Sequence, residues 1–295
     1  MVTVTRAEKR RRTNYMVLRF LGKLGMYVII IALAIAFGLP FLWAVGSSLK
    51  TPQEILVFPP RLMPTKPMWD NYVEIWRQAP FGTWLLNTSI ITVVTMVGEL
   101  LSASLVGYGF ARFRFPGRDI LFIVVLSTLM LPAQVTIIPI FLLFKALGWL
   151  DTFAPLMVPP WFGGGAFAIF LFRQFFLTIP LEYDEAAKIE GANSLTIYRR
   201  ILVPLCGPVF ITLAIFSFLY HWNDFFHPLI FLNSTDKFTL SLGLTYFQRT
   251  AEAGGRPTEH LLMASAMTMT LPCLLLFLVL QRYFVRGIVM SGLKG

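Results

Sequence analysis

The sequence predicts an all-α integral membrane protein with six transmembrane helices, and three observations support this fold class. Of its 295 residues, 56% are hydrophobic and only 14% are charged, whereas soluble domains carry about 25% charged residues. A chain this short cannot bury so much apolar surface in a globular core. Six stretches are also apolar over the length of about 20 residues that a spanning helix needs. They cover residues 24–45, 85–110, 120–144, 155–177, 205–232 and 261–284.

The first stretch follows a basic segment, as the core of a signal peptide would. It is too long for such a core and lacks a small-residue cleavage site, so it is predicted to be the first membrane anchor. The predicted organisation is a basic segment over residues 1–23, a six-helix membrane domain over residues 24–284 and a tail over residues 285–295.

Basic residues indicate the orientation, because Lys and Arg are retained on the cytoplasmic side. With the N-terminus inside, 17 of the 25 basic residues lie on the inner side, and an even number of spans makes both termini cytoplasmic. The 17 are Arg6, Lys9, Arg10, Arg11, Arg12, Arg19, Lys23, Arg112, Arg114, Arg118, Arg173, Lys188, Arg199, Arg200, Arg282, Arg286 and Lys294. Topology therefore explains most of the net charge of +10, and no nucleic-acid partner is predicted.

The second stretch contains Glu99, and ionisable groups within membrane spans are candidates for function. Small residues surround Glu99 at four-residue spacing, which lets neighbouring helices approach closely. They are Gly98, Ser102, Ala103, Gly107 and Ala111. Glu99 is predicted either to pair with a polar group across this contact or to face a pathway through the bundle.

The third and fourth stretches contain proline. Gln134 lies beside Pro132 in the third stretch and is a weaker candidate for the same pathway. In the fourth, Pro159, Pro160 and the glycines at 163–165 interrupt the start. Irregular backbone is tolerated at membrane depth only against protein or a wet cavity, so this end is predicted to face inward.

The loop over residues 179–204 is charged and has helical character. Pro180 followed by acidic residues predicts a helix start, because carboxylates favour the positive end of the helix dipole. Gly191 is predicted to end this helix, and Asn193 or Ser194 to cap a second one. The acidic residues of the loop are Glu182, Asp184, Glu185 and Glu190.

This loop resembles the EAA loop of ABC importer permeases. The similarity rests on Glu185-Ala186-Ala187, on Gly191 and on the segment that ends in Val203-Pro204. The family motif usually ends in Ile-x-Leu-Pro, from which Val203 departs conservatively. In that family the loop is the coupling helix, which docks on the ATP-binding subunit and carries ATP-driven closure into the membrane. The resemblance implies coupling roles for Glu185, Ala186, Ala187, Gly191, Ile201 and Pro204. The alternative is a solvated helical hairpin that only joins two spans.

The resemblance extends over nearly the whole chain, to carbohydrate-uptake permeases of the maltose-transporter G type. The similar segments are residues 48–54, 58–60, 71–72, 108–113, 222–225, 281–287 and 292–295. It implies a type I ABC importer transmembrane domain in a bacterial or archaeal inner membrane. The implied partners are lipid, a second similar permease, two ATPase subunits and an extracytoplasmic sugar-binding protein. The implied substrate is a mono- or oligosaccharide, with a polyol or glycerol phosphate also open.

The fifth stretch contains the polar cluster His221-Trp222-Asn223-Asp224. An indole ring can stack on the apolar face of a sugar while polar side chains hydrogen-bond its hydroxyls. An interfacial aromatic belt with satisfied polar neighbours is the other interpretation. No metal site is predicted, because His221, His227 and His260 lack ligand spacing. Cys206 and Cys273 are predicted to be small buried hydrophobes rather than a disulfide.

Two further segments have roles implied only by the resemblance. The tail with Gly292, Lys294 and Gly295 resembles one that reaches the ATPase subunits in maltose-type systems, the alternative being a frayed end. The outer segment 233–260 corresponds to a loop that contacts the binding protein in this family, or else is a connector.

The sequence lacks a Gly-x-x-x-x-Gly-Lys-Ser/Thr loop, so the chain is predicted to be a transport subunit without cofactor rather than an enzyme. ATP and Mg are expected on the partner ATPases. An ion-coupled secondary transporter using Glu99 and Asp224 remains the alternative, although such folds show internal repeats that are not seen here. A membrane enzyme would need catalytic groups converging at one depth.

Overall fold

The computed structural model describes the backbone of residues 6–252 and 258–292, and the side chains of residues 19–132, 134–248 and 258–281. Over these residues the chain is helical, with no β-strand. The α-helices are α1 (Arg6–Ser48), α2 (Pro52–Ile55), α3 (Asn71–Gln78), α4 (Phe81–Arg112), α5 (Arg118–Ser127), α6 (Ala133–Ala146), α7 (Ala154–Met157), α8 (Ala166–Thr178), α9 (Glu182–Ile189), α10 (Ser194–Ile197), α11 (Val203–Leu205), α12 (Gly207–Trp222), α13 (Phe226–Phe231), α14 (Leu240–Glu252) and α15 (Glu259–Gly292).

The all-α membrane fold predicted from composition is confirmed, with four to six candidate spans in the described part of the chain. Four segments are long and apolar enough to cross a bilayer by themselves: Arg19–Ser48, Phe81–Arg112, Ala154–Thr178 and Glu259–Gln281. Two bent helix pairs bring the number to six if each pair crosses once. The cytoplasmic placement of both termini stays a prediction.

The third predicted span is bent rather than straight. Its two halves, Arg118–Met130 and Gln134–Ala146, are inclined at 102°. The break lies at Leu131 and Pro132, both in extended backbone, because proline lacks an N–H and disfavours helical backbone in the residue before it. With 10 residues, α5 reaches only about 15 Å, half the thickness of the hydrocarbon core.

The fifth predicted span, over residues 205–232, starts at a bend whose first arm belongs to the predicted loop over residues 179–204, and it ends earlier than predicted. Ser194–Leu205 meets Gly207–Trp222 at 77°, with the corner at Cys206. The span was predicted to continue to residue 232, but α12 ends at Trp222 and the chain turns at Asn223 (φ −96°, ψ 2°). The short helix α13 then follows as a separate element.

The core of the bundle is the contact of α4 with α8 and α12. A Cβ on Gly107 would lie 2.8 Å from the Cβ of Phe172 on α8, so this glycine permits a close approach of the two backbones. Ser102 accepts a hydrogen bond of 2.5 Å from the backbone N–H of Gly163, which has φ of +109°. The small residues of the second span are therefore packing residues, as predicted, and the irregular start of the fourth span faces inward against them.

The helix α1 packs against α15 but has little other contact with the bundle. Its described side chains are exposed up to residue 42, and none of its most apolar window is buried. Among residues 19–48 of α1, burial is confined to the C-terminal end, where Ser48 hydrogen-bonds to Tyr72 at 2.8 Å. The first predicted anchor is thus held to the rest of the chain at one end.

Asp151 connects two loops of the chain. Its N–H donates to the carbonyl of Phe231 at 2.8 Å, and its backbone has φ of +56°. Its carboxylate accepts hydrogen bonds from the Ser234 hydroxyl (2.5 Å), the Ser234 and Asn233 N–H groups (2.9 Å each) and the Lys237 ammonium (2.9 Å). These bonds, foremost that of the Ser234 hydroxyl, hold the pKa of Asp151 well below its usual range. These contacts therefore hold the loop after α6 against the segment that follows α13.

Candidate functional site

The loop between α8 and α10 has the helix–turn–helix form that its sequence predicts. The helix α9 carries acidic residues in its first turn and ends before Gly191, which has φ of +85°. Such backbone is costly for residues with a Cβ, which explains the glycine. Asn193 then caps α10, because its side-chain oxygen accepts the N–H of Thr196 at 2.9 Å.

A buried ion pair fixes α9 to the end of α4. The Nε atom of Arg112 lies 3.1 Å from Oδ2 of Asp184, and both side chains are 7% exposed. Neither atom has a hydrogen-bond partner among the described residues. The same guanidinium donates through Nη2 to the carbonyl of Ile179 at 2.8 Å. This pair was not predicted from the sequence, which grouped Asp184 with the other acidic residues of the loop.

Tyrosine hydroxyls make a second connection between α4 and the loop. Tyr108 donates to the carbonyl of Ser194 at 3.1 Å, and Ser104 shares a buried hydrogen bond of 2.6 Å with Tyr198. Tyr198 begins a π-helical turn that runs to Leu202. Short π-helical turns occur frequently at functional sites.

The six predicted coupling residues differ in exposure. Glu185, Ala186, Gly191 and Pro204 are exposed, Ile201 is half-buried, and Ala187 is buried. Ala187 is buried because it follows Asp184 by three residues and shares its inward helix face. Ala186 instead lines a shallow groove of about 390 Å³ with Glu182, Tyr183, Ala187, Glu190 and Ile201.

Glu99 has polar partners across the bundle. Its Oε2 accepts a hydrogen bond of 2.5 Å from Ser217 and lies 3.5 Å from Nε2 of His221. This agrees with the predicted pairing, and Glu99 also lines a cavity of about 530 Å³. The carboxylate is therefore paired and also borders an open space, a position compatible with both interpretations.

A second cavity, of about 450 Å³, shares Pro159, Pro160, Tyr220 and His221 with the first. Asp224 lines it, accepting a hydrogen bond from the N–H of His227 at 3.2 Å and lying 2.9 Å from its Nδ1. Within the described lining of the two cavities there is no Lys or Arg. The aromatic, carboxylate and imidazole groups present are suited to hydroxyl-bearing molecules.

The other predicted pathway residues do not line these cavities. Trp222 is 4% exposed and donates through Nε1 to the carbonyl of Met269 at 3.0 Å, which makes it a contact between α12 and α15. Asn223 is exposed and donates to the carbonyl of Leu219. Gln134 is exposed at the start of α6.

The predicted tail contact cannot be placed. Lys294 and Gly295 lie outside the described residues, and Gly292 is described only as the last residue of α15. Cys206 is a buried free thiol and Cys273 a partly buried one. Within the described side chains, no group of three His, Cys, Asp or Glu residues is placed to hold a metal ion.

Comparison with known proteins identifies the family. Residues 100–290 match the family described as binding-protein-dependent transport system inner membrane component. The chain is 37% identical over 227 residues to the arabinooligosaccharides transport system permease protein AraQ of Halalkalibacterium halodurans, covering 77% of this chain and 79% of that protein. It is 34% identical over 245 residues to the sn-glycerol-3-phosphate transport system permease protein UgpE of Pectobacterium atrosepticum, covering 81% and 86%.

The fold has a match among solved structures. A chain of a bacterial ABC transporter involved in the import of the acidic polysaccharide alginate aligns with a TM-score of 0.79 at 23% identity, covering 96% of this chain and 100% of that one. Both the spans and the loop at 179–204 thus lie in a permease fold of the inner membrane. The chain belongs to the family of binding-protein-dependent transport system inner membrane components.

Proposed function

We propose that this chain is one permease subunit of an ABC importer that moves a saccharide, or a related polyol or glycerol phosphate, into the cytoplasm by ATP-driven alternating access. The observation that carries the proposal is the loop at 179–204, whose exposed Glu185 and Ala186 stand on a helix fixed to α4 by the buried Arg112–Asp184 pair. A helix that is exposed on one face and anchored on the other can transmit force from a partner into the bundle.

The coupling route follows from these contacts. An ATPase subunit binds the groove beside Ala186, and its closure on ATP moves α9. The Arg112–Asp184 pair passes this movement to α4. Two hydrogen bonds between the loop and α4 pass it to the same helix, one between Ser194 and Tyr108 and one between Tyr198 and Ser104. Since α4 also packs against α8 and α12, which border the two cavities, its movement changes access to them.

The substrate pathway is assigned to the two adjoining cavities, with Glu99, His221 and Asp224 as polar contacts. Carboxylates accept hydrogen bonds from hydroxyl groups, and the Tyr220 ring supplies an apolar face beside them. Relatives named for arabinooligosaccharides and glycerol-3-phosphate support this substrate range.

The proposed assembly contains a second permease, two ATPase subunits that bind ATP and Mg, and an extracytoplasmic binding protein. A structure with the same fold at a TM-score of 0.57 is described as an alginate ABC transporter in complex with a pentasaccharide-bound periplasmic protein. The segment after α13, which is hydrogen-bonded to Asp151, is the proposed contact for such a protein.

Coupling is tested in proteoliposomes that contain the whole importer, with uptake of labelled arabinotriose or sn-glycerol-3-phosphate and ATP hydrolysis measured together. Gly191→Ala forces a Cβ into left-handed backbone at about 1–2 kcal/mol, so transport per ATP should fall about tenfold. Glu185→Ala should also lower it, by removing an exposed contact without disturbing the core.

Gly148→Ala is the matched control, because Gly148 has φ of +69° and, like Gly191, open space around it, but lies in the loop after α6. The coupling assignment fails if Gly191→Ala and Glu185→Ala transport as the wild type does, or if Gly148→Ala uncouples equally. Failure of a purified ATPase to bind the chain, or uptake that is abolished by an ionophore and indifferent to ATP depletion, would refute the importer proposal itself.

A further inference from the structure

A cavity of about 400 Å³ lies where α4 ends and α5 begins, apart from the coupling groove and from the two proposed pathway cavities. It lies at the boundary of the membrane, because Arg112 ends one candidate span and Arg118 begins the next helix. Its lining consists of Arg114, Phe115, Gly117, Arg118, Asp119 and Ile120.

The cavity has an excess of positive charge. Arg118 binds Asp119 through two contacts, Nε to Oδ1 at 2.9 Å and Nη2 to Oδ2 at 3.3 Å. Nη2 of Arg173 lies 3.9 Å from the same Oδ1. Arg114 is exposed and has no ion pair within the described residues. Asp119 thus contacts two guanidinium groups while Arg114 stays unpaired, so three guanidinium groups and one carboxylate give this corner of the structure a net charge of +2.

An apolar helix face continues from the rim of this cavity. Ile120, Ile123 and Val124 of α5 are 70%, 64% and 54% exposed, and Phe122 is the buried residue of that helix. Arg173 is held in place from the other side, with its guanidinium 4.2 Å from the centre of the Phe122 ring. A basic cavity and an exposed apolar stripe therefore meet at one point.

We infer that this cavity binds the headgroup of an anionic phospholipid, with the phosphate at Arg114 and Arg118 and an acyl chain along the exposed face of α5. Guanidinium groups bind phosphate oxygens with charge-assisted hydrogen bonds. A soluble phosphate would use the charge alone and leave the apolar face uncovered, whereas an anionic lipid uses both. Basic pockets at the ends of transmembrane helices bind such headgroups. The inference does not depend on which substrate is transported.

The test uses the full-length chain in its complex, purified in a neutral detergent and depleted of lipid. Phosphatidylglycerol and phosphatidylcholine with identical acyl chains are titrated, and lipid retention in native mass spectrometry and the shift in Tm are recorded. Phosphatidylglycerol should bind more tightly. Since a basic residue near an anionic lipid surface contributes about 1 kcal/mol, Arg114→Gln should weaken phosphatidylglycerol binding about fivefold.

Arg114→Gln and Arg118→Gln together should weaken it further, while Arg114→Lys should keep most of the affinity. The control Arg19→Gln removes an exposed arginine on the same predicted side of the membrane, away from the cavity, and should change nothing. The inference is overturned if both lipids bind equally, or if the double variant retains wild-type affinity. It is also overturned if inorganic phosphate raises the Tm as much as the lipid does.

Discussion

Replacing Asp184 with asparagine leaves the guanidinium of Arg112 buried opposite a neutral group. The two side chains are each 7% exposed, and their charged atoms are 3.1 Å apart. Removal of one partner from a buried ion pair costs about 3–5 kcal/mol, because the remaining charge has neither its partner nor water. We therefore expect Asp184→Asn to lower the free energy of unfolding by about that amount.

The assay is a double-mutant cycle with Asp184→Asn, Arg112→Gln and the combined variant, followed by denaturant unfolding of the detergent-solubilised protein. The combined variant should lose less than the sum of the single changes, with an interaction energy of about 2–3 kcal/mol. Glu74→Gln is the control, since Glu74 and Arg77 lie 3.9 Å apart at 40% and 73% exposure. An exposed pair of this kind contributes less than about 1 kcal/mol.

The reasoning is refuted if the two single changes add to within about 0.5 kcal/mol, or if Glu74→Gln costs as much as Asp184→Asn. In the reconstituted importer, Asp184→Asn should also lower transport per ATP hydrolysed, because α9 loses its attachment to α4. If Asp184→Asn is destabilised but still transports normally per ATP hydrolysed, the pair stabilises the fold and has no role in coupling.

Three other outcomes are expected from the structure. Gly107→Ala should lower the free energy of unfolding by about 1–3 kcal/mol in thermal unfolding, since its Cβ would lie 2.8 Å from that of Phe172. The control Gly109→Ala, with open space around it, should change the free energy of unfolding by less than about 0.5 kcal/mol. Equal effects of the two variants would contradict the close approach of α4 and α8. The pKa of Asp151 is lowered in the fold, so its contribution to stability is present above the ordinary value of about 4 and is lost as the pH falls below it. Unfolding measured from pH 7 down to 3 should show that Asp151→Asn is less stable than the wild type at neutral pH and that the difference narrows in acid; a difference independent of pH would contradict this. Glu99→Gln, which keeps the shape of the side chain, should change transport in uptake assays more than it changes the Tm, whereas a loss of Tm with normal transport by the folded fraction would indicate a structural role alone.

Composition and span length predicted the membrane fold, because apolar surface has to be covered wherever it lies in the chain. The two bends were not predicted: Pro132 and Pro204 lie close to them, but the angles of 102° and 77° depend on packing that no local pattern records. The Arg112–Asp184 pair is harder still to predict, since its members are far apart in sequence and Asp184 looks like its acidic neighbours. The sequence did carry one indication that Asp184 is buried. Asp184 lies three residues before the small apolar residue Ala187, and residues at that spacing share one helix face.

The cluster at the end of α12 shows the same limit at short range. Adjacent helical residues point about 100° apart, so His221 and Trp222 cannot face one cavity together. The structure accordingly places His221 beside Glu99 and turns Trp222 towards Met269 of α15. Sequence reasoning identified the polar cluster, and helix geometry decides which member borders the open space.

The isolation of α1 has a mechanical consequence. Over residues 19–48, where its side chains are described, this helix is buried only near Ser48, so it behaves as a tether with one fixed end whose depth in the bilayer is set by lipid. When the rest of the subunit changes shape, α1 can tilt with little more than its contact with α15 to rearrange. The energy that drives the transport cycle is then spent on the helices that border the cavities, and the anchor keeps the subunit at a constant depth throughout.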